Sequence, residues 1–166
     1  MVAIAPIRPQ EAPGLRSYVV AVTISTAGPA DAEALTEALT RLVPQLSTSS
    51  APPSLGAVRE MLAHEAVTQF VARDDAGTIV GVSTLAVFPI PTARRAWIED
   101  VIVDEAVNGR GIGRLLTEAM VAKARELGCA TVDLTSRPSR AAANHLYRKV
   151  GFTERETNVY RYGLVD

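Results

Sequence analysis

One cysteine in 166 residues cannot make an internal disulfide, so the chain is not one of the small oxidised domains that depend on such bridges. Cys129, directly after Gly128, reads as a small packing residue rather than a nucleophile. Histidine is nearly as scarce: His64 and His145 stand at no metal-ligand spacing, and no metal site is expected. An excess of either charge is also missing. Lys and Arg number 17 against 18 Asp and Glu, a net charge of −1, which argues against nonspecific binding to nucleic acid or to an anionic membrane. The apolar run near residues 18–24 is far shorter than a bilayer span. Pro6, Arg8, Pro9, Gln10 and Glu11 interrupt the N-terminus where a signal peptide needs its apolar core. Cytoplasmic residence fits these absences together.

What is present is the composition of an ordinary globular protein, 48% hydrophobic and 21% charged. The length suits one domain with a real core, expected over residues 17–166 behind a flexible tail, 1–16, that carries Pro6, Pro9, Pro13 and Gly14. A first strand is expected over 18–25. Gly28-Pro29 then opens a helix to about residue 43, with Ala34, Leu35, Ala38, Leu39 and Leu42 on one face. After a loop at 46–54 come a helix at 54–64 and strands at 68–73 and 78–88, joined by the hairpin signal Asp75-Ala76-Gly77. Phe88-Pro89-Ile90-Pro91 is expected to break the pairing before a buried strand over 96–103. Ile112, Leu115, Leu116, Ala119, Met120 and Leu127 recur at helical spacing, and Gly128 stops that helix. A strand at 130–135, a helix from about Ser139 and a last strand at 158–162 complete the order.

The most informative stretch is Val103 to Arg114, in which an apolar strand runs through Asn108-Gly109-Arg110-Gly111-Ile112-Gly113 into a long helix. The first N–H groups of a helix have no partner within it and carry the positive end of its dipole, so such a turn can hold a phosphate. Gly109, Gly111 and Gly113 would let the backbone approach a diphosphate. Two familiar phosphate loops are excluded. Arg114-Leu115 follows the last glycine where a P-loop needs Lys and Ser or Thr. A dinucleotide fold wants its glycine turn after a first strand, and this one lies two-thirds along the chain, although Asp133 sits near the ribose-binding spacing.

The flanks carry a resemblance. A strand ending in Val103, a turn that matches Gln/Arg-x-x-Gly-x-Gly/Ala, and Tyr147 just before Gly151-Phe152 together resemble the GNAT superfamily of N-acetyltransferases, most strongly from Trp97 to Phe152. The resemblance implies an α+β fold of order β-α-α-β-β-β-α-β-α-β, a mostly antiparallel mixed sheet with strands four and five splayed apart, and acetyl-coenzyme A in the gap. Its diphosphate would lie on Asn108, Gly109, Arg110, Gly111, Ile112, Gly113 and Arg114, and its pantetheine along Val101, Ile102 and Val103. The chain departs from the pattern at Asn108, where relatives usually have Arg or Gln, and at Arg140, where many have Asn; whether Arg140 or Asn144, one helical turn later, makes the pantetheine contact stays open. Arg110 and Arg114 would reinforce the phosphate site by charge.

Acetyl transfer to an amine needs an uncharged nucleophile, a stabiliser for the oxyanion and a proton for the departing thiolate. By resemblance Glu99, in Trp97-Ile98-Glu99-Asp100, is the general base and Tyr147 the general acid, with the N–H groups of Val101 and Val103 on the thioester oxygen and pantetheine. Asp100 points to the opposite face if the strand is regular; a bulge leaves the choice between the two carboxylates open. The implied partners are acetyl-coenzyme A and an amine bound by loops 46–54 and 88–91, and the last strand is a dimerisation candidate. Two rival readings are a non-catalytic acyl-coenzyme A sensing domain and an interaction module that uses the fold as scaffold.

Overall fold

The computed structural model describes residues 22–164. The tail at 1–16 and the start of the first strand, 18–21, lie outside the described residues. Strand β1 is Thr23–Thr26, and it leads through the 3-10 turn Pro29–Asp31 into α1, Ala32–Leu46. Gly28 N–H donates to the Asp31 carboxylate at 2.8 Å, and proline at the first helical position is pre-set for the turn. Helix α1 runs through Pro44, one turn beyond the expected end. Helix α2, Leu55–Ala63, is capped by the Ser54 hydroxyl, which accepts from Ala57 N–H at 3.3 Å. Strands β2, Val67–Arg73, and β3, Ile79–Ile90, follow, and between them Gly77 takes φ 81° in the expected hairpin. Strand β4 is Ala93–Val103, α3 is Ile112–Glu126, β5 is Thr131–Asp133 and α4 is Ala141–Val150.

The strands form one sheet in sequence order, antiparallel except for the parallel pair β4 and β5. Its two faces are covered separately. On one, Leu35 and Leu42 of α1 and Val58 of α2 pack against Val71, Val82 and Ile102. On the other, Leu116 and Met120 of α3 pack against Phe70, Leu85 and Ile98. Burying each such side chain stabilises the fold by about 1.5–3 kcal/mol before entropy is counted. Leu115 does not join them: it is 41% exposed, and the α3 stripe runs instead through Ile112, Leu116, Thr117, Met120 and Ala124. Helical spacing admits either of two adjacent leucines, and only the packing partner selects one.

Residues 88–91 do not break the sheet. Strands β3 and β4 stay paired through Phe88↔Arg95, Pro89↔Arg94 and Ile90↔Ala93. Val87 N–H donates toward the β2 side, to Ala66, so by alternation Pro89 aims its missing donor the same way, beyond the last β2 pair at Val67↔Ala86. No ladder bond is lost there. The last expected strand is also corrected: residues 152–164 form no strand, and Val159, Tyr160, Tyr162 and Leu164 are exposed. Strand β5, the edge available to it, has only three residues, too short a ladder to seat another strand firmly.

Candidate functional site

Strand β5 pairs with β4 only at Arg95↔Thr131, Ala96↔Val132 and Trp97↔Asp133, and beyond Trp97 the two strands part. The gap is the centre of a cavity of about 1380 Å³, walled by residues 98–103 of β4, the glycine turn, residues 134–137, the first turns of α4 and the loop after α1. Just before the parting, the Arg95 guanidinium reaches diagonally from the Thr131 rung to donate to the Asp133 carboxylate at 2.6 Å. Burial of Asp133 pushes its pKa up, but the hydrogen bonds from Arg95 and Thr131 outweigh it and the carboxyl titrates below its ordinary value.

Strand β4 is not regular. Its register slips opposite Ser83, between Val82↔Ile102 and Thr84↔Glu99, and Asp100 takes φ 48°. This is a β-bulge, and it changes the parity of everything after it. Asp104 N–H donates to Val80 on β3, so by alternation Val101 and Val103 direct their N–H groups into the gap. A regular strand running on from Arg94, whose carbonyl accepts from Ala130 on the β5 side, would have turned Ile98, Asp100 and Ile102 that way instead. The strand is thus the bulged alternative, which leaves the choice between the two carboxylates open: Glu99 and Asp100 both line the cavity.

Glu99 stands on the face covered by α1 and α2, in a polar row. Trp97, two residues back on the same face, donates its indole N–H to Glu99 at 2.8 Å. Thr84, directly across the strand pair, donates in turn to the Gln69 amide oxygen at 2.8 Å. Neither Arg94 nor Arg95 engages the two carboxylates, since Arg94 donates to the Leu127 carbonyl and Arg95 to Asp133.

The glycine turn opens α3 without a side-chain cap. Leu115 N–H to the Gly111 carbonyl, at 3.1 Å, closes the first helical turn, which leaves the N–H groups of Ile112, Gly113 and Arg114 without helical partners. Gly109 and Gly111 both have φ 79°, with open space where a Cβ would stand. Gly113 has a different reason to be glycine: a Cβ there would meet Leu146 Cδ1 at 3.2 Å and Val103 Cγ2 at 3.7 Å, so it serves the close approach of α3 to α4. These open donors and the N–H row of β4 suit a phosphorylated ligand with an amide-bearing arm, as coenzyme A is.

The other expected residues are distributed unevenly. Asn108, Gly109, Ile112 and Tyr147 line the cavity with residues 99–103, whereas Arg110 and Arg114 stand outside its wall, and Arg114 pairs with Glu118 at 2.7 Å. Asn144 faces a second cavity of about 770 Å³, and its amide donates to the Arg137 carbonyl at 2.9 Å. Tyr147 borders both cavities, edge-on to Phe152 with ring centroids 6.0 Å apart. Burial raises the pKa of its hydroxyl, partly opposed by the positive charge of Arg140, so the phenol keeps its proton at neutral pH. Sequence reasoning missed Trp97 as the hydrogen-bond partner of Glu99, and missed Ser136, whose buried hydroxyl has no partner. Period-2 spacing on β4 is a signal that could have found Trp97.

The family model for the acetyltransferase (GNAT) family matches residues 34–152. The chain belongs to that family. Among curated relatives it is similar to mycothiol acetyltransferase of Propionibacterium freudenreichii, 35% identical over 89 residues that cover 54% of this chain and 28% of the relative. It is likewise similar to glucosamine 6-phosphate N-acetyltransferase 1 of rice, 35% identical over 65 residues, 39% of this chain and 38% of that one. The matched segments thus span well under half of those relatives. A solved acetyltransferase of Trypanosoma brucei superposes with TM-score 0.71 at 26% identity, covering 87% of this chain and 100% of that chain. The GNAT fold expected from sequence is therefore the fold observed.

Proposed function

We propose that this GNAT domain transfers the acetyl group of acetyl-coenzyme A to an amine by direct attack, without an acyl-enzyme. The observation that carries the reading is the single cavity that gathers an uncapped helix N-terminus, the gap-facing N–H groups of Val101 and Val103, the Glu99 carboxylate and the Tyr147 hydroxyl. Glu99 takes the ammonium proton, and its hydrogen bond from Trp97 holds one oxygen in place while the other stays free. The β4 N–H groups hold the thioester oxygen as it gains charge. Tyr147 gives its proton to the departing sulfur, a task for which a phenol kept protonated by burial is suited. The coenzyme supplies only the activated acetyl group.

The named relatives are acetyltransferases, which favours catalysis over the sensing and scaffold readings. No group of acidic, histidine or cysteine side chains among the described residues could hold a metal ion, and the proposed chemistry uses none. Among the described residues no helix is long and apolar enough to cross a membrane. Cytoplasmic residence belongs to the same proposal and rests on the single cysteine. So does a homodimer through residues 158–162, where Tyr160 and Tyr162 are 88% exposed. The test is coenzyme A release with a panel of amines, beside calorimetric binding of acetyl-coenzyme A. Binding without turnover of any amine would restore the sensing domain; no binding would leave only a scaffold.

A further inference from the structure

The large cavity carries opposite charges on facing walls. Glu99 and Asp100 stand on β4, while Arg137, Arg140 and Arg161 line the far side. The ion pairs among the described residues take up Arg41, Arg59, Arg73, Arg95, Arg114 and Lys123, and none takes up any of these three arginines. The turn that carries Arg137 and Arg140 is built rather than loose: the Arg137 carbonyl accepts from both Arg140 N–H at 3.0 Å and the Asn144 amide at 2.9 Å, which fixes residues 137–140 at the head of α4.

Arg140 reaches furthest. Its guanidinium donates to the Leu46 carbonyl at 3.0 Å, 94 residues away at the end of α1. Helix α4 lies with α3 on one side of the sheet and α1 covers the other, so this side chain crosses the sheet plane through the gap between β4 and β5. The charged end therefore sits at the end of α1 on the Glu99 face, where the neighbouring Gln45 accepts from Glu105 N–H shortly before the glycine turn. A neutral carbonyl is a weak partner for a guanidinium, which forms stronger, forked bonds to carboxylate or phosphate.

We infer that the amine acceptor also carries an anionic group, a carboxylate or phosphate, which Arg140 and Arg137 receive on the face where Glu99 receives the amine. The inference deepens the acetyl-transfer reading and rests on it. Charge complementarity selects such an acceptor twice: the ammonium end is attracted to Glu99 and Asp100, and the anionic end displaces the Leu46 carbonyl. A polycationic amine satisfies only the first wall.

Matched amines test this: glycine against glycinamide, and phosphoethanolamine against ethanolamine, with kcat/KM for each and calorimetric Kd for acetyl-coenzyme A. The wild type is expected to prefer the anionic member of at least one pair by about tenfold or more, the scale of a charge-assisted contact. Arg140→Gln should erase that preference and Arg140→Lys should keep part of it. A wild type that acetylates neutral members as well as anionic ones overturns the inference and leaves the proposed function standing. If Arg140→Gln weakens acetyl-coenzyme A binding by as much as it weakens the anionic amine, the anion is the coenzyme's own and the inference falls. It falls too if Arg140→Gln lowers Tm with the preference intact, since Arg140 then only caps α1. Turnover of no amine removes the proposed function and this inference together.

Discussion

The two walls of the central cavity are made of different material. The wall from Val101 to Gly113 is mostly backbone: gap-facing N–H groups on β4, two glycines at φ 79°, and an uncapped helix. The rest of the lining is side chain: Arg140 stretched to Leu46 and Tyr147 against Phe152 on the far side, faced from β4 by Glu99, which Trp97 holds. A backbone wall can serve one ligand that never changes, because its donors are fixed by the fold and tolerate most side-chain substitution. A side-chain wall is where one fold comes to accept different amines. Substitutions on the second wall should therefore alter turnover and selectivity, and those on the first should alter coenzyme affinity.

The largest effect is expected at Tyr147. Tyr147→Phe keeps the packing on Phe152 and removes the proton donor, so kcat should fall by about 10²-fold or more with acetyl-coenzyme A affinity nearly unchanged. The pH profile gives an independent sign. Burial raises the pKa of this hydroxyl, so the alkaline loss of activity should lie above the ordinary tyrosine range near 10. Arg140 opposes that rise, and Arg140→Gln should therefore move the alkaline limb further up. Unchanged kcat in Tyr147→Phe would make it a packing residue.

Glu99 comes next. Glu99→Gln should lower kcat/KM by about 10²-fold near neutral pH, with part of the loss recovered as rising pH supplies free amine. Asp100→Asn is the comparison, because the bulge brings both carboxylates to one cavity but only Glu99 is held by Trp97. A pH-dependent defect in Asp100→Asn alone would assign the base to the bulge residue. On the backbone wall, Gly111→Val should raise the acetyl-coenzyme A Kd by about tenfold, since a branched residue strains φ 79° at the helix start. Gly113→Ala should instead lower stability, as its Cβ presses on Leu146. Equal losses of affinity in both variants would mean that the two glycines serve the same end.

The same contrast explains what was legible beforehand. Glycines and their spacing are local signals, so the turn at 108–113, the start of α3 and the hairpin at Gly77 could be read from the chain. So could the place of Tyr147 on the cavity wall, from its position before Gly151-Phe152. The bulge at Asp100 could not: nothing in Trp97-Ile98-Glu99-Asp100 departs from a regular strand, and the slip exists only against β3. Pro89 misled because its effect depends on whether a neighbouring strand lies on its N–H side. Residues 158–162 alternate as a strand does, but alternation does not supply an edge to pair with. Arg140 looked like a lost asparagine, and its reach to Leu46 spans 94 residues.

The smallest expected effect tests what holds the two walls apart. Arg95 and Asp133 join β4 to β5 by a diagonal ion pair along the short paired stretch before the gap, with side chains 34% and 17% exposed. Arg95→Gln leaves the Asp133 carboxylate part-buried without its charge partner, and it should cost about 1 kcal/mol at neutral pH after allowance for solvent screening. The folded pKa of Asp133 lies below the unfolded value, so the contribution of the pair is present above the unfolded pKa near 3.9 and is lost as pH falls through the lower folded one. Chemical denaturation at neutral pH should therefore separate Arg95→Gln from wild type, and the two should converge in strong acid. If the ion pair sets the width of the gap, acetyl-coenzyme A affinity will fall with stability at neutral pH. Lost stability with unchanged affinity would show that the bulge and the glycine turn hold the coenzyme wall in place without help from β5.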